Sequence, residues 1–309
     1  MSDLSVIILT FNEEIHIRRC IENVRPVAKD VFVVDSFSTD KTAEIAASLG
    51  AKVFKNKWEN NHARQFNWGL GNLPIQTKWV LRLDADEYLM PELIEELGAK
   101  LDTLAPEITG VILKRRHIFL GRWVKNGIYP IKLLRIFQTG HAICEERWMD
   151  ENIQLLDGFA IEFSHDFVDH NLNNLSWWTA KHVGYAVREA ADLLDMELHL
   201  TGGGENSISG QAGRKRKMKS VYLRLPLFLR AFLYFHYRYF LRLGFWEGKE
   251  GFLWNFLQGF WYRVLVDAKI FEIKRACGDN PAEIRVHLWR EYHLAVDSRA
   301  TESQKTGDA

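Results

Sequence analysis

Short apolar runs alternate with helically spaced apolar positions along the first hundred residues. Ser5–Leu9 reads as a buried strand, and Glu13 to Val24 then places Ile15, Ile17, Ile21 and Val24 on one helical face. Val31–Val34 is a second strand that ends in the polar turn Asp35–Asp40. From Asp40 as N-cap, Lys41 to Leu49 reads as a helix closed by Gly50. Ala51–Phe54 is a third strand and His62–Leu70 a third helix. Trp79–Leu83 is a fourth strand that runs into Asp84-Ala85-Asp86-Glu87, after which Pro91 opens a helix reaching Lys100. Strands alternating with helices at this spacing predict an α/β fold whose parallel sheet is covered on both faces.

Beyond Thr109 the texture changes. Gly110–Lys114 and Lys132–Phe137 read as strands joined by a long loop rich in Gly, Arg and aromatics, and Phe159–Phe163 is another strand. Leu172 to Leu198 forms one long helix or two. Thr201–Gly213 is a linker by composition. The expected organisation is a catalytic domain over 1–200, a Gly-rich then basic linker over 201–219, a helical region over 220–295, and a disordered tail over 296–309. No internal repeat is present.

Composition excludes wholesale disorder: 47% of the 309 residues are hydrophobic and 26% charged. Cys20, Cys144 and Cys277 are odd in number and form no paired motif, so neither a disulfide framework nor a zinc site is expected. With no charged-then-apolar leader, the chain is expected in a reducing cytoplasm. The net charge of zero conceals a split, because residues 211–275 carry 14 Lys or Arg against 4 Asp or Glu. Tyr222 to Tyr262 also holds 16 of the 39 aromatic residues. An acidic α/β body therefore carries a basic, aromatic appendage.

In doubly wound sheets, ligands bind beyond the carboxyl ends of the strands. That rule selects Thr10–Glu13, Asp35–Ser36 and Asp84–Asp86. A nucleotide across these ends would meet Asp35 as an acceptor for base or ribose. Asp84 and Asp86, two residues apart on a strand-to-loop turn, suit a hard divalent cation that also bridges phosphate oxygens. The competing reading has Asp35 and Asp84 merely ending strands; both together, behind two apolar strands, favour the ligand reading.

The runs Val6–Glu14, Val33–Asp40 and Leu83–Glu87, in that order and spacing, resemble the family 2 glycosyltransferases. The resemblance is to the branch that builds bacterial lipopolysaccharide core, O-antigen and exopolysaccharide. It covers roughly residues 3–175 and implies a GT-A (Rossmann-like) nucleotide-sugar-binding sheet, a nucleotide-diphosphate sugar donor, Mg²⁺ or Mn²⁺, and inversion at the anomeric carbon. Carried onto this sequence, it implies that Thr10, Asn12 and Glu13 line the nucleotide pocket and that Asp35 holds base or ribose. It assigns Asp84 and Asp86 to ribose, metal and diphosphate, Arg64 to the nucleotide, and His170 to a third contact with the metal-diphosphate. The chain departs from the common pattern at Ser36, where a second Asp is frequent, and at Gln65-Phe66, which separate Arg64 from Asn67. Inversion needs a base opposite the leaving diphosphate. The related enzymes place an acid at the end of Cys144–Glu151, often as His-Glu, and here the pair is Asp150-Glu151. Either is the candidate base, Glu145 and Glu146 stand behind them, and Trp148 is a sugar platform or a core residue. His165 is structural in this reading. Lys114–Arg116 and Arg135 could neutralise phosphate, or be solvated strand edges.

In the appendage, no stretch of 18 residues is free of charge, so a membrane crossing is not expected. Aromatics and arginines fit a segment lying on the anionic inner face of the cytoplasmic membrane, with a packed subdomain or oligomer interface as the alternative. No nucleic-acid module accompanies the basic residues. The function that the resemblance implies is a metal-dependent glycosyltransferase with a lipid-linked glycan acceptor. A sugar nucleotidyltransferase is the enzymatic rival, but Thr10–Glu14 is acidic where triphosphate binding needs glycines and a base. A membrane-associated scaffold is the non-enzymatic rival, and the intact Asp35, Asp84 and Asp86 count against it.

Overall fold

A computed structural model describes residues 1–146, 149, 151–201, 222–294 and 296. The expected linker and basic run over 202–219 and the tail from 297 onward lie outside the described residues. The chain divides into two compact units, with the break between Asn173 and Asn174.

The first unit is built on a nine-stranded sheet. Its first strands are β1 (Leu4–Thr10), β2 (Asp30–Asp35), β3 (Lys52–Lys55), β4 (Trp79–Asp84) and β5 (Glu87–Leu89). Then follow β6 (Ile108–Phe119), β7 (Arg122–Val124), β8 (Ile131–Gln138) and β11 (Phe159–Asp169). The order is β3-β2-β1-β4-β8-β6-β11-β5, with β7 on β6. A separate hairpin pairs β9 (Ala142–Cys144) with β10 (Ile153–Leu155). The first four strands in space are parallel, as expected. The sheet as a whole is mixed, because β8 runs antiparallel to both β4 and β6. The parallel sheet expected from the alternation over the first hundred residues is the β3-β2-β1-β4 part; beyond Thr109 no crossover helix separates β6 from β8, so β8 pairs with β6 as an antiparallel neighbour.

Strand alternation sorts the core. Leu4, Val6 and Ile8 of β1 pack with Leu81 and Leu83 beneath α1 (Ile17–Val24) and α4 (Pro91–Lys100). Ile7 points to the other face, with Phe32, Val80 and Phe137 beneath Ala63 and Phe66 of α3 (His62–Asn72). Burying each such side chain contributes about 1.5–3 kcal/mol. Helix α1 begins later than its apolar spacing predicts, so Ile15 is exposed while Ile17, Ile21 and Val24 are buried. Helix α2 (Thr42–Ser48) keeps Asp40 as its cap in function. The Asp40 carboxylate accepts from the Thr42 backbone N–H at 2.9 Å and from that of Glu14 at 3.1 Å.

Strand β11 runs twice as far as expected, through Ser164–Asp169. Between Glu162, paired with Ile112, and Asp166, paired with Lys114, it bulges away from β6. A bulge leaves backbone N–H groups without ladder partners. Glu96, on the inward face of α4, takes them: its Oε2 accepts from the N–H of Ser164 at 3.0 Å and of His165 at 3.1 Å. Burial works against the Glu96 charge, but hydrogen bonds from Lys100, Ser164 and His165 outweigh it and hold the carboxyl down at about 2. A depressed folded pKa adds stability that is complete above the ordinary value near 4.5 and fades as pH falls towards about 2. Glu96→Gln is therefore expected to cost about 2–3 kcal/mol at neutral pH and almost nothing near pH 2. Urea unfolding at both pH values checks this; an equal deficit at both would show that shape, not charge, holds the bulge.

The second unit, in the described residues, contains α5 (Leu175–Leu198), α6 (Leu229–His236), α7 (Gly248–Phe256), α8 (Tyr262–Cys277) and α9 (Pro281–Tyr292). The expected catalytic boundary at 200 falls one helix after the break at 173. Ala186, Ala190 and Leu194 of α5 pack against Tyr262, Val266 and Ile270 of α8, and Ile284 and Leu288 of α9 complete this second core.

Candidate active site

Pairing brings the predicted acids to one level. Thr10 lies opposite Asp35, and Leu9 lies opposite Asp84 on the other side of β1. Asp35 is buried: its Oδ1 accepts from Thr10 Oγ1 at 3.0 Å and from Ser38 Oγ at 2.5 Å, and its Oδ2 from the Ser38 N–H at 3.0 Å. Asn12 turns with φ +55° and accepts the Thr39 N–H at 2.8 Å, so the β1 and β2 loops are laced together. Glu13 is engaged by His16. Its carboxylate lies 2.6 Å from His16 Nδ1, while His16 Nε2 accepts the Leu172 N–H at 2.8 Å. That acceptor role puts the His16 proton on Nδ1, facing Glu13.

Asp84 remains accessible, with 42% of its side chain exposed. Desolvation works against its ionisation, but the guanidinium groups of Arg135 and Arg82 hold its carboxyl below the ordinary range. Arg135 Nη2 lies 3.8 Å from Asp84 and donates to Glu87 Oε1 at 2.7 Å, and Glu87 Oε2 accepts the Asp84 N–H at 2.9 Å. Burial raises the Glu87 pKa against the pull of Arg135. Burial likewise disfavours the Asp169 charge, yet His117 at 3.2 Å and Arg115 at 3.5 Å keep it low. A network of buried guanidinium and carboxyl groups therefore underlies the Asp84 turn.

Asp86 and His170 are joined directly, the His170 N–H donating to the Asp86 carbonyl at 3.1 Å. Arg19 of α1 donates to the carbonyls of Asp86 at 3.0 Å and His170 at 2.6 Å. One turn on, Asn23 accepts from and donates to the backbone of Leu89. Asn171 Nδ2 donates to Asp86 Oδ2 at 2.9 Å. Burial and the Arg19 charge depress the His170 pKa, which leaves its imidazole neutral at pH 7. Among the described residues, no three His, Cys, Asp or Glu side chains come together to hold a metal ion by themselves. Asp84, Asp86 and neutral His170 are oxygen and imidazole donors that suit Mg²⁺ or Mn²⁺ only if other ligands complete the shell.

The other candidates divide. Glu151 is half-buried at the mouth of the β9–β10 hairpin. Its charge reaches Arg82 of β4: burial opposes that guanidinium, and Asp84, Cys144 and Glu151 favour it. Asp150 and Trp148 lie outside the described residues. Arg64 pairs with Glu146 at 3.1 Å and Glu59 at 3.6 Å, beside a cavity of about 190 Å³ that Asn56, Gln65 and Asn67 also line. Gln65, singled out as a departure, donates to Ser36 Oγ at 3.0 Å and accepts from Asn56 at 2.8 Å. His165 Nδ1 lies 2.9 Å from Glu96. Arg116 pairs with Asp166 at 2.6 Å and lies over the Trp123 ring, on the strand face opposite Arg115.

The family described as Glycosyl transferase family 2 matches residues 5–153. An uncharacterised glycosyltransferase of Rickettsia prowazekii (strain Madrid E) is 37% identical over 215 residues, spanning 64% of this chain and 73% of that protein. The chain belongs to glycosyl transferase family 2. Its first unit has the GT-A α/β fold of this family. A lipopolysaccharide core biosynthesis glycosyltransferase of Rhizobium meliloti (strain 1021), LpsC, is 27% identical over 279 residues, 87% of this chain and 92% of that one. With other Rickettsia glycosyltransferases the match spans about a third of the relative's length. Among solved structures, S. aureus TarS 1-349 superposes with a TM-score of 0.44 at 16% identity, covering 94% of this chain and 91% of that one.

Proposed function

We propose that this family 2 glycosyltransferase moves a sugar, with inversion, from a nucleotide-diphosphate sugar to a lipid-linked glycan acceptor in bacterial surface polysaccharide synthesis. The observation that carries the reading is the shared level of Asp35 and Asp84 on the strands flanking β1, with Asp86 and His170 bonded beside them. In this reading Thr10, Asn12 and Asp35 border the nucleoside. Glu13 shapes that border through His16, and Arg64 has to exchange Glu146 for the nucleotide. Asp84, Asp86 and His170 would hold Mg²⁺ or Mn²⁺ together with the donor diphosphate, and the bound cation offsets charge on the departing nucleoside diphosphate. Glu151 or Asp150 removes the acceptor proton. The similarity to a lipopolysaccharide core enzyme supports that acceptor class. We place the work at the anionic inner face of the cytoplasmic membrane. No helix among the described residues is long and apolar enough to cross a membrane.

A thermal-shift screen of nucleotide-sugars tests the donor half. One donor class is expected to raise the melting temperature in Mn²⁺ and to lose most of that effect in EDTA. If no nucleotide-sugar stabilises the chain with or without Mn²⁺, the transferase reading is lost.

A further inference from the structure

In the second unit, residues 229–261 form a helical hairpin whose polarity is inverted. Its first arm is α6 extended by a π-turn over Tyr237–Leu241; the return arm is α7, extended by a π-turn over Leu257–Trp261. Ring contacts join the arms, Phe235 to Phe260 at 5.7 Å and Tyr239 to Phe252 at 5.8 Å. The outside of the hairpin is apolar. Leu241 is 76% exposed, Trp246 65% and Phe240 50%, with Phe232, Leu233 and Phe252 exposed beside them. The inside buries charged and amide groups beside Ala231 and Trp254. Arg238 is 1% exposed; its Nη1 donates to Gln258, and its guanidinium lies over the Tyr234 ring at 5.5 Å. Asn255 and Glu247 are buried with it.

In water a chain does the reverse, hiding aromatics and exposing guanidinium groups. An exposed apolar surface of this kind marks an interaction site. Its charge distribution indicates the occupant. Between 222 and 261 the exposed charges are Arg224, Arg242 and Lys249, while the two acids are buried (Glu247) or half-buried (Glu250). Cations with exposed aromatics fit lipid headgroups over hydrocarbon. The first arm has 13 residues, Leu229–Leu241. At about 1.5 Å per residue it reaches roughly 20 Å, short of the ~30 Å hydrocarbon layer.

We infer that the Leu229–Trp261 hairpin inserts into the hydrocarbon of one leaflet as a monotopic wedge. The inference deepens the membrane placement above and rests on it: surface adhesion is electrostatic, whereas insertion is apolar and survives salt. The full chain is floated with neutral phosphatidylcholine vesicles in high salt, alongside the double variants Phe240→Glu with Leu241→Glu and Arg242→Gln with Lys249→Gln. The parent is expected to float. The glutamate pair, at sites already exposed in water, is expected to bind at least about tenfold less, because charge is expelled from hydrocarbon. The glutamine pair is expected to lose only its preference for anionic vesicles. Three results overturn the inference. The glutamate pair floats as well as the parent; the parent leaves neutral vesicles in high salt; or light scattering shows a dimeric parent and a monomeric glutamate pair, making a second copy the occupant. Donor binding measured without lipid belongs to the transferase reading alone, so its failure leaves the flotation result standing.

Discussion

Glu151→Gln is expected to slow sugar transfer by about 10²–10⁴-fold while donor binding in Mn²⁺ stays close to that of the parent. The split follows from the base's position in the reaction: it acts on the acceptor hydroxyl, whereas the donor is held by the strand ends and the cation. Glutamine keeps the shape and removes the proton acceptor. Glu151 also contributes charge near Arg82, so donor affinity measured by calorimetry is the control for a wider disturbance. Asp150→Asn is the paired experiment. If it alone loses transfer, Asp150 is the base. If both variants transfer at the parental rate, the base lies elsewhere, and Glu145 and Glu146 are tested next.

The strand ends were legible because the first strands are buried on both faces. A polar residue such as Asp35 or Asp84 directly after a run like Val31–Val34 or Trp79–Leu83 marks where the strand leaves the core. The charge network beneath them was not legible. Glu87, Arg135, Arg115 and Asp169 meet through the antiparallel insertion of β8 and the bulged pairing of β11, and neither leaves a local pattern. Two signals were nonetheless present. Arg82 interrupts an apolar strand, which demands a buried partner for its charge. Arg19 and Asn23, one turn apart on α1, mark the face that grips the Asp86–Leu89 segment. The appendage was legible as aromatic and basic, but composition cannot say which residues face inward. Only the folded hairpin shows Arg238 inside and Leu241 outside.

Asp86→Asn is expected to reduce transfer by about 10²–10³-fold and to abolish the Mn²⁺-dependent part of the donor's thermal shift. The substitution is nearly isosteric, and the local backbone is held independently of the side chain. Arg19 and the His170 N–H bind the Asp86 carbonyl, so the turn should survive the change. The amide still offers an oxygen to Asn171 but no longer brings a negative charge to a hard cation. Asp84→Asn is a less clean test: Asp84 also balances Arg135 and Arg82, so its neutralisation disturbs the buried network and should lower stability together with activity. The two variants therefore separate cation binding from charge balance. Asp86→Asn should melt like the parent without ligand, and Asp84→Asn should melt earlier. Full transfer by Asp86→Asn, or undiminished transfer by the parent in EDTA, would remove the metal from the proposed site and leave Asp86 as a loop residue.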